Sequence, residues 1–89
     1  MNKFLLNISS PDGEKFKDEI VKLSVRGVEG DLAVMAGHIP FVTSLKPCTC
    51  KLEFEDGSIR TAKVSGGLLT VGVEHVTLLS SSFEWNSDE

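Results

Sequence analysis

The sequence predicts an all-β protein, a flattened antiparallel β-sandwich of short strands, and three observations carry that prediction. Apolar residues alternate with polar ones through most of the chain, which is the period of a half-buried strand. Turn-forming residues break the alternation every few positions, at Pro11-Asp12-Gly13, Glu29-Gly30, Ala36-Gly37, Asp56-Gly57 and Gly66-Gly67. With 89 residues, the chain has room for one domain and none for the helical crossovers of an α/β fold.

Taken in order, "KFLLNIS" reads as a strand stopped by Ser10-Pro11-Asp12-Gly13. "EKFKDEI" (14–20) is the one helix-like stretch. One or two isolated helical turns are marginal in water, so it is read as a loop leading into the next strand. In "IVKLSV", Val21, Leu23 and Val25 share one face, with Lys22 and Ser24 opposite. "GDLAVMAGHIPF" (30–41) is backbone punctuation around a strand. Gly30-Asp31 opens it from a tight turn, Ala36-Gly37 permits a second bend holding His38, and Pro40 presses Ile39 toward an extended conformation. "VTSL" resumes the alternation. "CTCKLEF" is the clearest strand, with Cys48, Cys50, Leu52 and Phe54 on one face. Asp56-Gly57 then predicts a hairpin returning through 59–64. After the break at 65–67, "LLTVGVEHVTLLS" gives two short strands around a polar turn near Glu74-His75, with Leu69, Val71 and Val73 on one face and Val76 and Leu78 following. The domain is expected over 1–82, with 83–89 an acidic tail in which Trp85 is a packing anchor.

Composition excludes several functions. The net charge is −4 and the lysines are scattered, so a nucleic-acid backbone is an unsuitable partner. No apolar run reaches bilayer-spanning length, and the N-terminus becomes polar too soon for a signal peptide, which predicts a cytoplasmic protein with no direct membrane insertion. By surface scaling the chain buries roughly 9,000 Å² on folding, a thin core with little room for an enclosed substrate cleft.

Each chemistry-bearing side chain has a plain structural reading. His38 beside glycine and proline lacks catalytic or ligating partners, since the other histidine, His75, lies in a different turn. Cys48 and Cys50 would close a strained ring as a disulfide and supply two ligands where zinc needs four, so they read as reduced thiols on a buried strand face. Asp12, Asp31 and Asp56 sit beside glycines in separate turns. Ser65-Gly66-Gly67 lacks the strand–loop–helix setting of a phosphate cradle. The expectation is no catalytic residue, no cofactor and no metal.

"VEGDLAVMAGHIPFVTSLKP" followed by "FEDGSIRTAKVSGGLLTV" resembles the N-terminal β-sandwich domain of F-type ATP synthase epsilon subunits. The shared pattern is a strand–glycine–acid turn, a Gly-His-x-Pro element, a T-x-L-x-P and a later Ser-Gly-Gly, in order from about Lys3 to Leu79. Ala36 and Cys48 depart from it, standing where members usually carry proline and glycine. The resemblance implies a non-catalytic central-stalk (rotor) subunit that links the gamma subunit to the membrane c-ring and couples proton or sodium translocation to ATP synthesis. Such a subunit is peripheral to the cytoplasmic face of the membrane. The resemblance also implies that Glu29, Gly30, Asp31, Gly37, His38, Ile39, Pro40, Phe41 and Val42 form the partner interface. There an acidic turn would meet positive groups or amides, and an apolar bend would supply the desolvated contact. The typical subunit continues into a helical hairpin after the sandwich, and residues 83–89 are expected to be its stub. Without that hairpin, such a chain is expected to bind gamma without restraining ATP hydrolysis. The alternative reading is a small cytosolic sandwich adaptor or ligand-binding domain of another complex.

Overall fold

Alternation dictates most of the architecture: wherever apolar side chains recur at every second residue, the chain is extended and turns one edge of its pleat inward. The computed structural model describes residues 3–37 and 39–86, with ten strands and no helix among them. These are β1 (Phe4–Ser10), β2 (Gly13–Ile20), β3 (Lys22–Gly27), β4 (Gly30–Met35), β5 (Phe41–Leu45), β6 (Cys48–Glu53), β7 (Ile59–Val64), β8 (Gly67–Val71), β9 (His75–Leu79) and β10 (Phe83–Trp85).

Four expectations are corrected. Residues 14–20, read as a loop, lie in β2, which pairs antiparallel with β1 from Phe4↔Ile20 to Ser10↔Gly13. Charges at Glu14, Lys15, Lys17, Asp18 and Glu19 hide its period, and the hairpin closed by Pro11-Asp12 imposes it. A bulge after Ile8 absorbs an extra residue, and Phe16 packs against the core while Ile20 is fully buried. Residues 83–85, assigned to a tail, form β10 against β7, with Phe83↔Val64 and Trp85↔Ala62. Val73, placed with Leu69 and Val71, lies exposed in a turn, because Gly72 N donates to His75 O at 2.9 Å and ends the alternation at Val71. His75 begins β9 instead of occupying that turn.

The strands form one continuous path, β10-β7-β6-β3-β5-β8-β9-β1-β2, with β4 on the free side of β3. The path folds over where β3 and β5 share the single pair Gly27↔Leu45. One layer is then β10-β7-β6-β3-β4 and the other β5-β8-β9-β1-β2. Between them lies one core, in which Leu6, Ile8, Ile20, Leu23, Leu52, Leu69 and Leu78 are fully buried. Cys50 is fully buried in the same core and Cys48 is half-buried, both as free thiols. β1 lies parallel to β9, from Leu5↔His75 to Ser9↔Leu79, which places the N-terminal strand beside one of the last.

On the side where β2 and β10 end their layers, aromatic rings fill the gap. Phe16 meets Phe54 at 6.1 Å and Trp85 at 5.7 Å, and Trp85 meets Phe83 at 4.9 Å, all edge-to-face. Arg60 stacks over the Trp85 ring, 3.6 Å from its centroid. Trp85 is therefore the packing anchor the sequence suggested. The Ser65-Gly66-Gly67 break also has a reason. Gly67 has φ +143°, and a Cβ there would collide with the Leu79 carbonyl, so only glycine lets the chain pass this close to β9.

Candidate functional site

The predicted interface residues lie on three segments, and β3, β4 and β5 decide how they meet. The β3–β4 hairpin turns through Val28 and Glu29, with Gly27 and Gly30 facing each other at its end. Two backbone bonds fix this tip to the strand that comes next. Val28 N donates to Ser44 O at 3.1 Å, and Lys46 N donates to Arg26 O at 3.0 Å. The last residues of β5 are thereby held beside the tip. Gly27, Glu29, Gly30, Asp31, Leu32, Phe41, Val42 and Thr43 line one groove of about 400 Å³. Two stretches well separated in sequence, 29–31 and 41–42, share one surface.

Gly37, Ile39 and Pro40, also predicted, are not among this groove's lining. Gly37 turns the chain with φ +88°, a conformation costly for any side chain. His38 lies outside the described residues. Ile39 is 81% exposed and Pro40 is also exposed, so an apolar projection comes after the turn. Val42 is 61% exposed, and Phe41 is exposed with it.

The electrostatics of the tip differ from a bare acidic turn. Arg26 and Asp31 are directly opposed across the hairpin, and Arg26 Nε donates to Asp31 Oδ1 at 2.8 Å. That hydrogen bond, and then the carboxylate's charge, raises the guanidinium further above its ordinary value. Glu29 is exposed at the turn itself. Among the described residues no three His, Cys, Asp or Glu side chains converge as metal ligands, and no helix is long and apolar enough to cross a membrane.

Sequence reasoning missed a second apolar surface. Leu68 and Leu79 pair directly across β8 and β9, face outward, and are 40% and 47% exposed. With Pro11, Ser9, Ser10, Ser80 and Ser81 they line a groove of about 430 Å³. Ser10 Oγ is buried there without a hydrogen-bond partner. The signal was present as parity: if Leu69 and Val71 face inward, Leu68 must face out. It went unused because one apolar residue on an outer face is unremarkable until its cross-strand neighbour is known. Val42 on β5 and Leu68 on β8 point the same way, since Val42 pairs Thr70 and Ser44 pairs Leu68. The exposed apolar surface thus runs from the β5 groove toward β9.

Comparison with known proteins gives this surface its context. The family model for the β-sandwich domain of the ATP synthase delta/epsilon chain matches residues 3–86. The ATP synthase epsilon chain of Bacillus licheniformis is 38% identical over 84 residues, covering 94% of this chain and 63% of that one. That of Bacillus subtilis is 39% identical with the same coverage. The chain therefore spans under two-thirds of the length of these curated relatives. A chain in the cryo-EM structure of the Euglena gracilis mitochondrial ATP synthase OSCP/F1/c-ring superposes with a TM-score of 0.88 at 24% identity, covering 93% of this chain and 53% of that one. At that identity the superposition speaks for the fold. From the strand pattern, the Ser-Gly-Gly crossing and the matched span together, the chain belongs to the family of ATP synthase delta/epsilon-chain β-sandwich domains.

Proposed function

We propose that this domain works as the sandwich of an epsilon-type central-stalk subunit, docking the gamma subunit to the membrane c-ring and carrying out no bond chemistry of its own. The observation that carries this reading is the convergence of 29–31 with 41–42 on one groove, beside the exposed Ile39-Pro40 projection. A connector between two larger bodies needs two accessible surfaces on a stiff frame. The tip groove and the Leu68–Leu79 groove are two such surfaces, on a frame built around one buried apolar core. The interface is taken as Glu29, Gly30, Asp31, Gly37, His38, Ile39, Pro40, Phe41 and Val42. In this reading the protein is held at the cytoplasmic face of the membrane through its complex, with no segment of its own inserted.

The test is direct association. Purified protein mixed with gamma subunit at micromolar concentration is expected to co-elute with it from a sizing column, and the pair is expected to retain a detergent-solubilised c-ring. Elution of the domain alone, in the presence of both partners, overturns the proposal.

A further inference from the structure

Among the described residues, β2, β10 and β4 each pair with one strand only: β2 with β1, β10 with β7 and β4 with β3. An open strand edge carries a row of N–H and C=O groups with which any extended chain can pair, so natural proteins blunt such edges with lysine, bulges or short length. β2 carries Lys15 and Lys17 among its acids and is bulged against β1. β10 is three residues long. β4 has none of these devices. Its sequence, GDLAVM, holds no lysine, arginine or proline, and its register with β3 runs without a shift from Lys22↔Met35 to Gly27↔Gly30. We infer that β4 is a strand-addition site, whose open edge pairs through its backbone with an extended segment of the docking partner. This rests on the docking role proposed above and concerns the edge over 31–35, a different contact from the turn that closes the hairpin.

Alternate residues of β4 turn their N–H and C=O away from β3, because an antiparallel pair uses the groups of every second residue. The side chains on its two faces define what an added strand would meet. Val34 is buried and Leu32 is packed half-buried against the core, so a strand laid beyond them would widen the layer and cover Leu32. Ala33 and Met35 are exposed on the outer face, Met35 by 53%. Both rows are apolar, and the one charge, Asp31, is already joined to Arg26. The segment that fits is therefore extended and uncharged, with β-branched or aromatic side chains at alternate positions. A second copy of this chain suits the edge less well. Six residues paired with six form a small contact beside the roughly 1,200 Å² at the lower end of stable interfaces. A partner already held at the tip groove, by contrast, supplies its segment at high local concentration. β4 starts from that groove, with Gly30, Asp31 and Leu32 in its lining.

Amide hydrogen exchange, read residue by residue in the full chain, free and bound to gamma subunit and detergent-solubilised c-ring, tests the assignment. Within 31–35, every second amide is expected to exchange rapidly in the free chain and at least about tenfold more slowly in the complex, while the amides paired to β3 stay slow in both. Amides on the open edge of β2 are expected to keep their free rates. Ala33→Lys combined with Met35→Lys, at two exposed positions, introduces the lysines this edge lacks. That variant is expected to melt like wild type, to bind, and to return the slowed amides to within about twofold of their free rates. Unchanged β4 rates in a complex that does form overturn the inference and leave the docking reading standing, and so does protection that survives the two lysines. Slowing of β4 in the chain alone as its concentration rises assigns the edge to a second copy and overturns it as well. Absence of any complex overturns the docking reading itself, and this inference with it.

Discussion

At Gly67 the backbone of β8 leaves the turn so close to β9 that no side chain fits, and at Gly37 a positive φ occurs with open space around it. The two glycines therefore separate steric collision from backbone strain. Gly37→Ala is expected to cost about 1–2 kcal/mol, the penalty of a left-handed conformation. Gly67→Ala adds displacement of the Leu79 carbonyl and is expected to cost more than about 4 kcal/mol, enough to unfold much of the population. Urea denaturation of the two variants checks the order, and equal losses would contradict it. Cys50 gives the pH prediction. Burial first, and then the neighbouring Cys48, push its thiol up from 9.0 to about 11. In the unfolded chain the thiol ionises at its ordinary value, so between about pH 9 and 11 the unfolded state holds fewer protons than the native one. Stability should be flat with respect to this group below pH 9 and should fall as pH rises through that window. The wild-type urea midpoint is expected to drop more steeply there than that of Cys50→Ala, which removes the group while the other titrations remain.

At the scale of elements, β2 and β10 are the strands whose existence depends most on their neighbours. β2 has charged residues on both faces and a bulged partner, and β10 has three residues. Their anchorage is the ring contact of Phe16 with Trp85 across the open side of the sandwich. Lys3 gives β2 a further tie, to the β6–β7 turn, bridging Glu55 at 3.1 Å and Glu19 at 3.4 Å. Phe16→Ala is expected to cost about 2–3 kcal/mol, below the full range for a buried phenylalanine because this one is half-buried. Amide exchange should then accelerate in β2 and β10 together. Faster exchange in β2 alone would show that the aromatic contact does not couple them. The β6–β7 hairpin is the opposite case and was fully legible in the sequence. Its Asp56 carboxylate accepts from the Ser58 hydroxyl at 2.6 Å and amide at 2.9 Å, which lowers its pKa below the ordinary carboxylate value, so the turn is specified by residues within it.

For the whole molecule, the prediction concerns surface and core as separable properties. Ile39 and Val42 contribute nothing to the core, so Ile39→Asp with Val42→Asp should leave the melting temperature within a few degrees of wild type. The same pair should weaken gamma or c-ring binding by about 2 kcal/mol or more if these are anchor residues of the interface. Isothermal titration beside a melting curve distinguishes the two effects. A fall in both would place these residues in the stability of the fold instead. The proposed docking surface was half legible in the sequence. The residues at 29–31 and 37–42 could be named because the family resemblance implies them, while glycine and proline announced only that turns lie nearby. The meeting of 29–31 with 41–42 on one groove could not, because it depends on the pairing of distant segments that the Val28–Ser44 and Lys46–Arg26 backbone bonds record. The Arg26–Asp31 pair and the Leu68–Leu79 surface each wait on a cross-strand register, β3 with β4 and β8 with β9, though parity already turned Leu68 outward.

The sequence by itself determined the all-β class, most strand positions, most of the turns between them and most of the inward-facing side chains, since a period of two and the conformational limits of glycine and proline are local properties. Tertiary structure alone decided the parallel seat of β1 beside β9, the conversion of 14–20 and 83–85 into strands, and the fold-over at Gly27 and Leu45. Each of those is a hydrogen-bonded pairing between distant segments, or depends on one. The energy of such a pairing belongs to both partners, so neither segment's residues can announce it alone.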